Sequence, residues 1–373
     1  MKKTTRWVGL DVHAETIAVA VADKDGTVSS VGTIPNRPDA VRRALKKLES
    51  GGKLHVCYEA GPCGYGLYWQ LAEMGIECDV VAPTLIPVKT GDRVKTDRRD
   101  AEKLARLLRS GDLTAVWVPD AEQQALRDLV RARHAAKRDQ LRHRNRLGKF
   151  LLQLDVRRPE KIVAWGAKHM VWLEGQQMKH ASHQEVLVDY LSEVKRAKER
   201  IERLERSIDA GIERAPRHLQ ELIGALQTLR GVAKIGAATL VTEVGRFSRF
   251  ESARQLMAYV GVVPSEHSSG GSTHRGSISK TGNARMRHVV GEAAWSYRHR
   301  PATGPALRKR QEGQGEDVKA IAWKAQHRLH KRFQKLSAHG KHHGRVVTAI
   351  SRELLGFVWA IGRAIEAQRD AAA

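Results

Sequence analysis

Two short apolar runs near the start of this chain each end in a carboxylate. Asp11 follows residues 7–10, and Glu59 follows residues 54–58. Short apolar runs of this kind, rich in Val, Leu and aromatic residues, are typical of buried strands. Carboxylates that close two strands can meet at one edge of a sheet if the strands are neighbours. The pair therefore favours a fold in which one sheet carries both strands.

Two further acidic residues, Asp97 and Asp100, stand three apart at the start of a helical pattern, and residues at that spacing share one face of a helix. Taken singly, each carboxylate has an ordinary structural explanation, because a strand-end Asp can close a turn and acidic residues stabilise a helix start. Taken together, the four follow the ribonuclease H/RuvC order, in which carboxylates meet around metals. Converging carboxylates repel one another unless cations neutralise them, and two Mg²⁺ ions held in this way suit in-line chemistry on phosphate. We therefore predict a Mg²⁺ site at Asp11, Glu59, Asp97 and Asp100.

The order of elements predicts an α/β fold followed by helical regions. A hairpin and then alternating α and β patterns indicate a RuvC/ribonuclease H-like mixed sheet with flanking helices over residues 1–120. Residues 121–222 read as a helical coiled-coil region. Residues 223–373 read as a mainly α-helical domain that starts with a helix-hairpin-helix-like segment, in which Ala233 stands where a second glycine is usual.

The segment 186–214 has a regular apolar seam. Its seam residues alternate spacings of three and four, which is typical of a coiled coil; they are Val194, Ala197, Ile201, Leu204 and Ile208. Such a helix can pack on its own domain, or it can form an arm that pairs with another chain. We favour the arm, because few apolar residues lie off the seam.

The charge of the chain indicates a polyanionic partner. There are 65 Lys and Arg residues against 41 Asp and Glu, a formal charge of +24, and residues 226–373 carry +15 of it. Concentration in one third of the chain indicates a nucleic-acid footprint. The three cysteines lack the spacing of a zinc site, and no segment has the length and apolarity of a membrane helix. We therefore expect reduced cysteines and a cytoplasmic, nucleoid-associated protein.

A hydroxyl- and glycine-rich segment, 265–276, is predicted to be an exposed loop, and it contains Ser269. A serine beside glycines usually belongs to a flexible loop. Here, however, nearby cations could contact nucleic acid and stabilise the charge that develops if a serine attacked phosphorus; they are Arg275, Lys280, Arg285 and Arg287. Ser268 competes with Ser269 for that role. His267 and His274 are expected to be phosphate contacts, and His339, His342 and His343 to belong to the basic surface.

Four segments together resemble the DEDD transposases of insertion-sequence family 110. They are Gly9-Leu10-Asp11-Val12-His13, Tyr58-Glu59-Ala60, Lys95-Thr96-Asp97-Arg98-Arg99-Asp100-Ala101, and the stretch from Val263-Pro264-Ser265-Glu266-His267-Ser268-Ser269-Gly270 to Lys280-Thr281-Gly282-Asn283. The resemblance implies a RuvC-like domain, a coiled-coil insertion and a C-terminal transposase domain. It also implies DNA recombination through a covalent phosphoserine, guided by a structured RNA from the non-coding end of the element. If the roles of the family's residues are transferred to this sequence, the four carboxylates bind the metal and Ser269 is the nucleophile. The glycine that follows aligns the family's serine with Ser269 rather than with Ser268.

These observations predict a transposase that cuts and rejoins DNA. Its expected partners are donor and target DNA, a guide RNA and further copies of itself, as a dimer or tetramer. The main alternative is a RuvC-like, structure-selective endonuclease that uses water as the nucleophile. A third possibility is a nucleic-acid-binding protein without chemistry, although four converging carboxylates would repel its ligand.

Overall fold

The computed structural model describes residues 4–87, 96–269 and 271–372. The chain divides into two compact units, Met1–Val118 and Pro119–Ala373, and each is described by itself. The predicted regions 121–222 and 223–373 both fall in the second unit, so a separate helical domain between the two ends stays a prediction. No helix in the described ranges is long and apolar enough to cross a membrane.

The first unit contains one mixed sheet of five strands. Its order is β3-β2-β1-β4-β5, in which β1 pairs antiparallel with β2 and parallel with β4. This sheet confirms the predicted α/β class and is consistent with a ribonuclease H-like fold. The elements are β1 Thr5–Val12, β2 Thr16–Ala22, β3 Val28–Pro35, α1 Pro38–Glu49, β4 Lys53–Glu59, α2 Gly66–Glu73, β5 Glu77–Val81 and α3 Asp97–Ser110.

The two faces of the sheet have different partners. On one face, Val8 and Leu10 share a core with the apolar residues of α1 and α2. On the other face, α3 packs against alanines of β2, and the Cys57 thiol of β4 donates to the carbonyl of Leu104. Small side chains let α3 approach the sheet closely, which matters below because α3 carries the Asp-x-x-Asp pair.

The second unit is built mainly from helices. Its core joins the start of α4 and the end of α6 to the helices that follow, including the last one. Its elements are α4 Ala121–Gln153, α5 Ala167–Glu174, α6 Ala181–Arg214, α7 Arg217–Leu226, α8 Lys234–Val244, α9 Ala253–Val260, β6 Pro264–Ser269, β7 Ser272–Ile278, α10 Ala284–Ala294, α11 Pro305–Gln311, α12 Glu316–Ala338 and α13 His343–Ala372.

The predicted coiled-coil seam is used within the chain. Helices α4 and α6 run antiparallel, as ion pairs from Arg133 to Glu205 and from Asp139 to Arg200 require. Ile201 is 5% exposed and Ile208 is fully buried. The seam therefore packs on α4 of the same chain, and an arm that pairs with another chain stays a prediction. The partner was missed because the basic residues of α4 obscure its own apolar positions.

The segment predicted to be a loop at 265–276 is a two-stranded antiparallel hairpin. Strand β6 pairs with β7, and Ser269 lies opposite Ser272. The alternation of apolar and polar residues that marks a half-buried strand is missing here, because the hairpin is rich in Ser, Thr and His along its length. A pair of glycines, which can form a two-residue hairpin turn, was the available signal; of the two, Gly270 lies outside the described residues.

Candidate active site

A glycine in β1 fixes where α3 crosses the sheet. A Cβ built on Gly9 would overlap the carbonyl oxygen of Ala101 and the amide nitrogen of Ala105. Any larger residue would therefore push α3 away from the sheet. Asp11 lies two residues further along β1 and so projects from the same face as Gly9. The close crossing brings the start of α3 to the strand end that carries Asp11.

Helix α3 begins with a capped first turn. The hydroxyl of Thr96 accepts a hydrogen bond from the Arg99 amide at 3.3 Å, which stabilises the helix start. Asp97 and Asp100 both lie in that first turn. The predicted start of the helical pattern is therefore confirmed, and both carboxylates are held near the end of β1.

Three side chains come together at this edge of the sheet. Asp11, His13 and Asp97 each offer a ligand atom, and the three atoms lie within 4.8 Å of one another. The His13 Nε2 atom lies 3.2 Å from the Asp11 Oδ2 atom and 3.5 Å from the Asp97 Oδ1 atom. The Asp11 side chain is 17% exposed, whereas that of Asp97 is 62% exposed. The cluster thus has one sheltered carboxylate and an open side.

The electrostatic surroundings disfavour ionisation of Asp11. Burial raises its pKa, the charge and hydrogen bond of His13 oppose that rise, and the carboxylates of Asp100 and Asp97 add to it. Asp100, although outside the group of three, is therefore close enough to act on Asp11 through its charge. Burial is thus the main cause of the raised pKa of Asp11, and the two neighbouring like charges add to it.

Glu59 occupies the corresponding position on the neighbouring strand. Cys57 pairs with Gly9 in the parallel register of β4 and β1, and Leu10 pairs with Tyr58. One further step along the same register aligns Glu59 with Asp11, and both side chains leave the sheet on the face that α3 covers. Glu59 is half-buried and does not belong to the group of three ligand atoms. Its role as a metal ligand therefore stays a prediction.

His13 is the member of the cluster to which sequence reasoning assigned no role. In a continuous strand, a residue two positions after Asp11 would lie on the same face as Asp11. The position of His13 could not be predicted in this way, because β1 ends at Val12.

Ser269 ends β6 in the second unit, beside the hairpin turn. It is exposed, as predicted, and its strand partner is Ser272. The side chains of His267, Ser268 and Arg275 lie outside the described residues. His274, which pairs with His267 across the hairpin, is exposed. The hairpin therefore presents a serine hydroxyl at its tip.

The cations predicted to bind nucleic acid differ in their surroundings. Lys280 is exposed and has a φ of 55°. Arg287 donates to the carbonyl of Val260 at 2.8 Å, which ties it to the end of α9. Arg285 is half-buried, and its pKa is lowered by burial and by the neighbouring charge of Arg131. Lys280 is thus the most accessible of the three cations described.

The Lys-Thr-Gly-Asn segment that follows the hairpin is held by close backbone packing. A Cβ on Gly282 would overlap the carbonyl of Tyr259, and a Cβ on Gly261 would overlap that of Thr281. Both glycines have positive φ, at 99° and 75°. Asn283 then caps α10 by accepting from the amides of Arg285 and Met286. The segment anchors the root of the hairpin to α9.

A buried glutamate connects this root to α4. The Glu243 side chain is 0% exposed. It accepts from Arg131 at 2.8 and 2.9 Å, from Arg127 at 3.3 Å and from Asn283 at 2.8 Å. Burial raises its pKa, but hydrogen bonds and charges of the two arginines outweigh burial and lower the pKa to about 2.

We expect Glu243 to make the stability of the second unit depend on acid. Its folded pKa lies below the ordinary value of 4.5, so its contribution is complete above about pH 4.5 and is lost as the pH falls towards 2. Changing Glu243 to Gln should lower the free energy of unfolding at pH 7 by roughly 3 kcal/mol, because the buried Arg127 and the half-buried Arg131 lose this carboxylate. The variant should also make the free energy of unfolding depend less on pH between about 4.5 and 2, which thermal unfolding at several pH values measures.

Glu221→Gln is the control for Glu243→Gln, because Glu221 forms an exposed ion pair with Arg217. Equal losses of stability in the two variants would contradict the buried network.

Comparisons with known proteins match both units. The DEDD part of an IS110 transposase family matches residues 8–155, and the transposase IS116/IS110/IS902 family matches residues 224–309. A putative transposase y4qE of Sinorhizobium fredii is 45% identical over 96% of this chain and 88% of its own length. This chain belongs to the IS110 family of transposases. It is therefore an enzyme of a class that cuts and rejoins DNA.

Other relatives of this IS110-family chain include a second transposase and a gene-inverting protein. The transposase for insertion sequence element IS1533 of Leptospira borgpetersenii is 34% identical over 88% of this chain and 96% of its own length. A pilin gene-inverting protein of Moraxella bovis is 26% identical over 64% of this chain and 65% of its own length. The matched family segments contain all four predicted carboxylates and Ser269. Divalent metal use follows from the DEDD family and agrees with the acidic cluster.

Proposed function

We propose that this transposase recombines DNA through a covalent bond to Ser269, with Mg²⁺ held by Asp11, Glu59, Asp97 and Asp100. The observation that carries the proposal is the meeting of Asp11 with the Asp97 end of α3. It supports a site that can handle a phosphate, and the family match supports DNA as the substrate. The exposed serine on the hairpin supplies a hydroxyl that a nuclease using water would not need.

The donor set fits a hard divalent cation. Carboxylate oxygens are the ligands that Mg²⁺ prefers, and it is usually bound by one or two of them together with substrate phosphate. When bound, such an ion supplies a positive charge that orients the scissile phosphate and stabilises the charge developing on it. His13 contributes by hydrogen-bonding to the Asp11 carboxylate at 3.2 Å, which orients that carboxylate towards the site.

The serine step conserves the number of phosphoester bonds. The Ser269 Oγ atom attacks phosphorus and loses its proton, and the bond from phosphorus to one oxygen of the DNA strand breaks. That strand oxygen takes up a proton. The reverse reaction, with the end of another strand as nucleophile, releases Ser269 and joins the strands. Because the bond energy stays in the phosphoserine, rejoining requires no high-energy cofactor.

A structured guide RNA and a homo-oligomer complete the proposal. Base pairing in an RNA would select donor and target sequences, while the protein would recognise backbone. The formal charge of +24 gives the chain capacity for both RNA and DNA. The name of the Moraxella bovis relative describes inversion of a gene, which requires rejoining as well as cutting and so favours recombination over plain cleavage.

Denaturing electrophoresis of the wild-type chain after reaction with DNA tests this function. We expect a protein–DNA adduct that survives denaturant and needs Mg²⁺, with the RNA from the element added. Cut DNA without an adduct would favour the nuclease that uses water. Bound but intact DNA would favour a protein without chemistry.

A further inference from the structure

A cavity lies between the root of the serine hairpin and the start of α13. Its volume is about 620 Å³, which is in the range that holds a small ligand. One wall is apolar and the other is cationic. The lining includes Val262, Pro264, Ile278, His342, Arg345 and Arg352.

Two arginines line this cavity, and among the described residues no carboxylate pairs with either of them. Arg345 and Arg352 form no ion pair within the described parts of the chain, and the described lining contains no acidic residue. The nearest carboxylate in sequence, Glu353, is instead paired with Arg328 at 2.9 Å and with Arg332 at 3.3 Å. Arginines held at a cavity wall without counter-ions favour an anionic occupant, and a guanidinium suits phosphate because it can donate two parallel hydrogen bonds.

The mixed lining favours a nucleotide over a free anion. The apolar wall can contact a sugar or base, while Thr348 and the two arginines face the phosphate side. The cavity is small enough to take one nucleotide unit of a strand. We propose that this cavity binds a backbone phosphate of the DNA strand whose scissile phosphate lies at Ser269, and this inference rests on the proposed function.

The hairpin itself is the reason to assign DNA rather than RNA. Ser277 and Ile278 line the cavity, and both lie on β7, the strand that begins at Ser272 opposite Ser269. Five residues of strand span about 17 Å. A single strand that runs along the hairpin can therefore place one phosphate at Ser269 and another, a few nucleotides away, in the cavity. A strand held at both places would be aligned along the hairpin.

The test measures binding in full-length protein that carries Ser269→Ala, so that no chemistry intervenes. The probe is a fluorescent single-stranded DNA of about 16 nucleotides, followed by anisotropy over a range of salt. Adding Arg345→Gln and Arg352→Gln should reduce the salt slope by about 0.7, since the one phosphate held in the cavity contributes about 0.7 on a single strand. Affinity at fixed salt should fall at least about tenfold.

A matched control removes the same charge from the same helix. Arg363→Gln with Arg369→Gln should leave the slope near that of the parent, because neither residue lines the cavity. A second variant, Ala349→Phe, fills the cavity without changing charge and should lower affinity as well. Equal slopes for the two arginine pairs would overturn the proposal, and so would tight binding by the filled cavity.

Two further outcomes separate this inference from neighbouring ones. If the Arg345→Gln and Arg352→Gln substitutions lowered affinity only for an RNA of the same sequence and not for the DNA, the assignment to DNA would be overturned. A wild-type chain that forms no adduct would overturn the serine mechanism, yet the salt slopes would still report on the cavity because they are measured without the serine. A failure of the serine mechanism can therefore be distinguished from a failure of the cavity proposal.

Discussion

Changing Asp11 to Asn should abolish DNA cleavage and leave nucleic-acid binding nearly unchanged. Asp11 is the most sheltered carboxylate of the cluster, and the ligand atoms of His13 and Asp97 lie within 4.8 Å of its own. An amide keeps the shape but loses the charge that holds a divalent cation. Mutation of a residue that only hydrogen-bonds to a metal ligand lowers activity by about 10–100-fold. Removal of a ligand itself should therefore reduce the cleavage rate by at least about 100-fold. Single-turnover cleavage of DNA in Mg²⁺ measures it.

Asp79 provides a matched control for Asp11. It is also a partly buried aspartate of the same sheet, and its Oδ2 atom lies 3.0 Å from the Nε2 atom of His55. Asp79→Asn removes a histidine-paired carboxylate outside the cluster and should retain cleavage. If both variants cleave like the wild type, the metal site at this edge of the sheet is wrong. If both fail, the loss reflects folding rather than chemistry.

The carboxylates at the edge of the sheet could be predicted because they depend on local patterns. Apolar runs that end in Asp11 and Glu59 give the strand ends, and the capped start of α3 gives Asp97 and Asp100. What the sequence does not reveal is how α3 crosses the sheet. That crossing depends on Gly9, whose missing side chain makes room for the helix backbone. A glycine in a strand often indicates that another backbone approaches closely. Which element approaches depends on the tertiary structure and cannot be inferred from the glycine alone.

The surface that buries the α6 seam and the strands at 265–276 could not be predicted, for two different reasons. The seam on α6 predicted burial of Ile201 correctly, but periodicity does not identify the surface that buries it. That surface is α4, which is rich in basic residues. The hairpin at 265–276 has no apolar face to reveal a strand, since its pairing is made by backbone hydrogen bonds between polar residues. Burial patterns therefore predicted the sheet and missed the hairpin.

Changing Ser269 to Ala should eliminate the protein–DNA adduct and all recombinant product. The substitution removes one exposed oxygen at the end of β6 and leaves the hairpin register, the Lys280 charge and the packing of Gly282 on α9 in place. Binding of DNA and RNA should persist, because affinity comes mainly from cations that contact phosphate. Loss of a nucleophile that forms a covalent intermediate reduces the rate by roughly 10³-fold or more. Denaturing electrophoresis and sequencing of product junctions measure both losses.

Ser268→Ala is the matched control, since it removes the same atom one residue away. The notable difference between the two serines is their position in the sequence, since Ser269 directly precedes the glycine of the family motif. We expect the Ser268 variant to keep most of the adduct and the recombination product. Loss of the adduct in Ser268→Ala alone would move the nucleophile by one position and keep the covalent mechanism. Normal recombination by Ser269→Ala would instead rule out a phosphoserine at this residue, and cleavage by the carboxylate site with water would then become the better explanation.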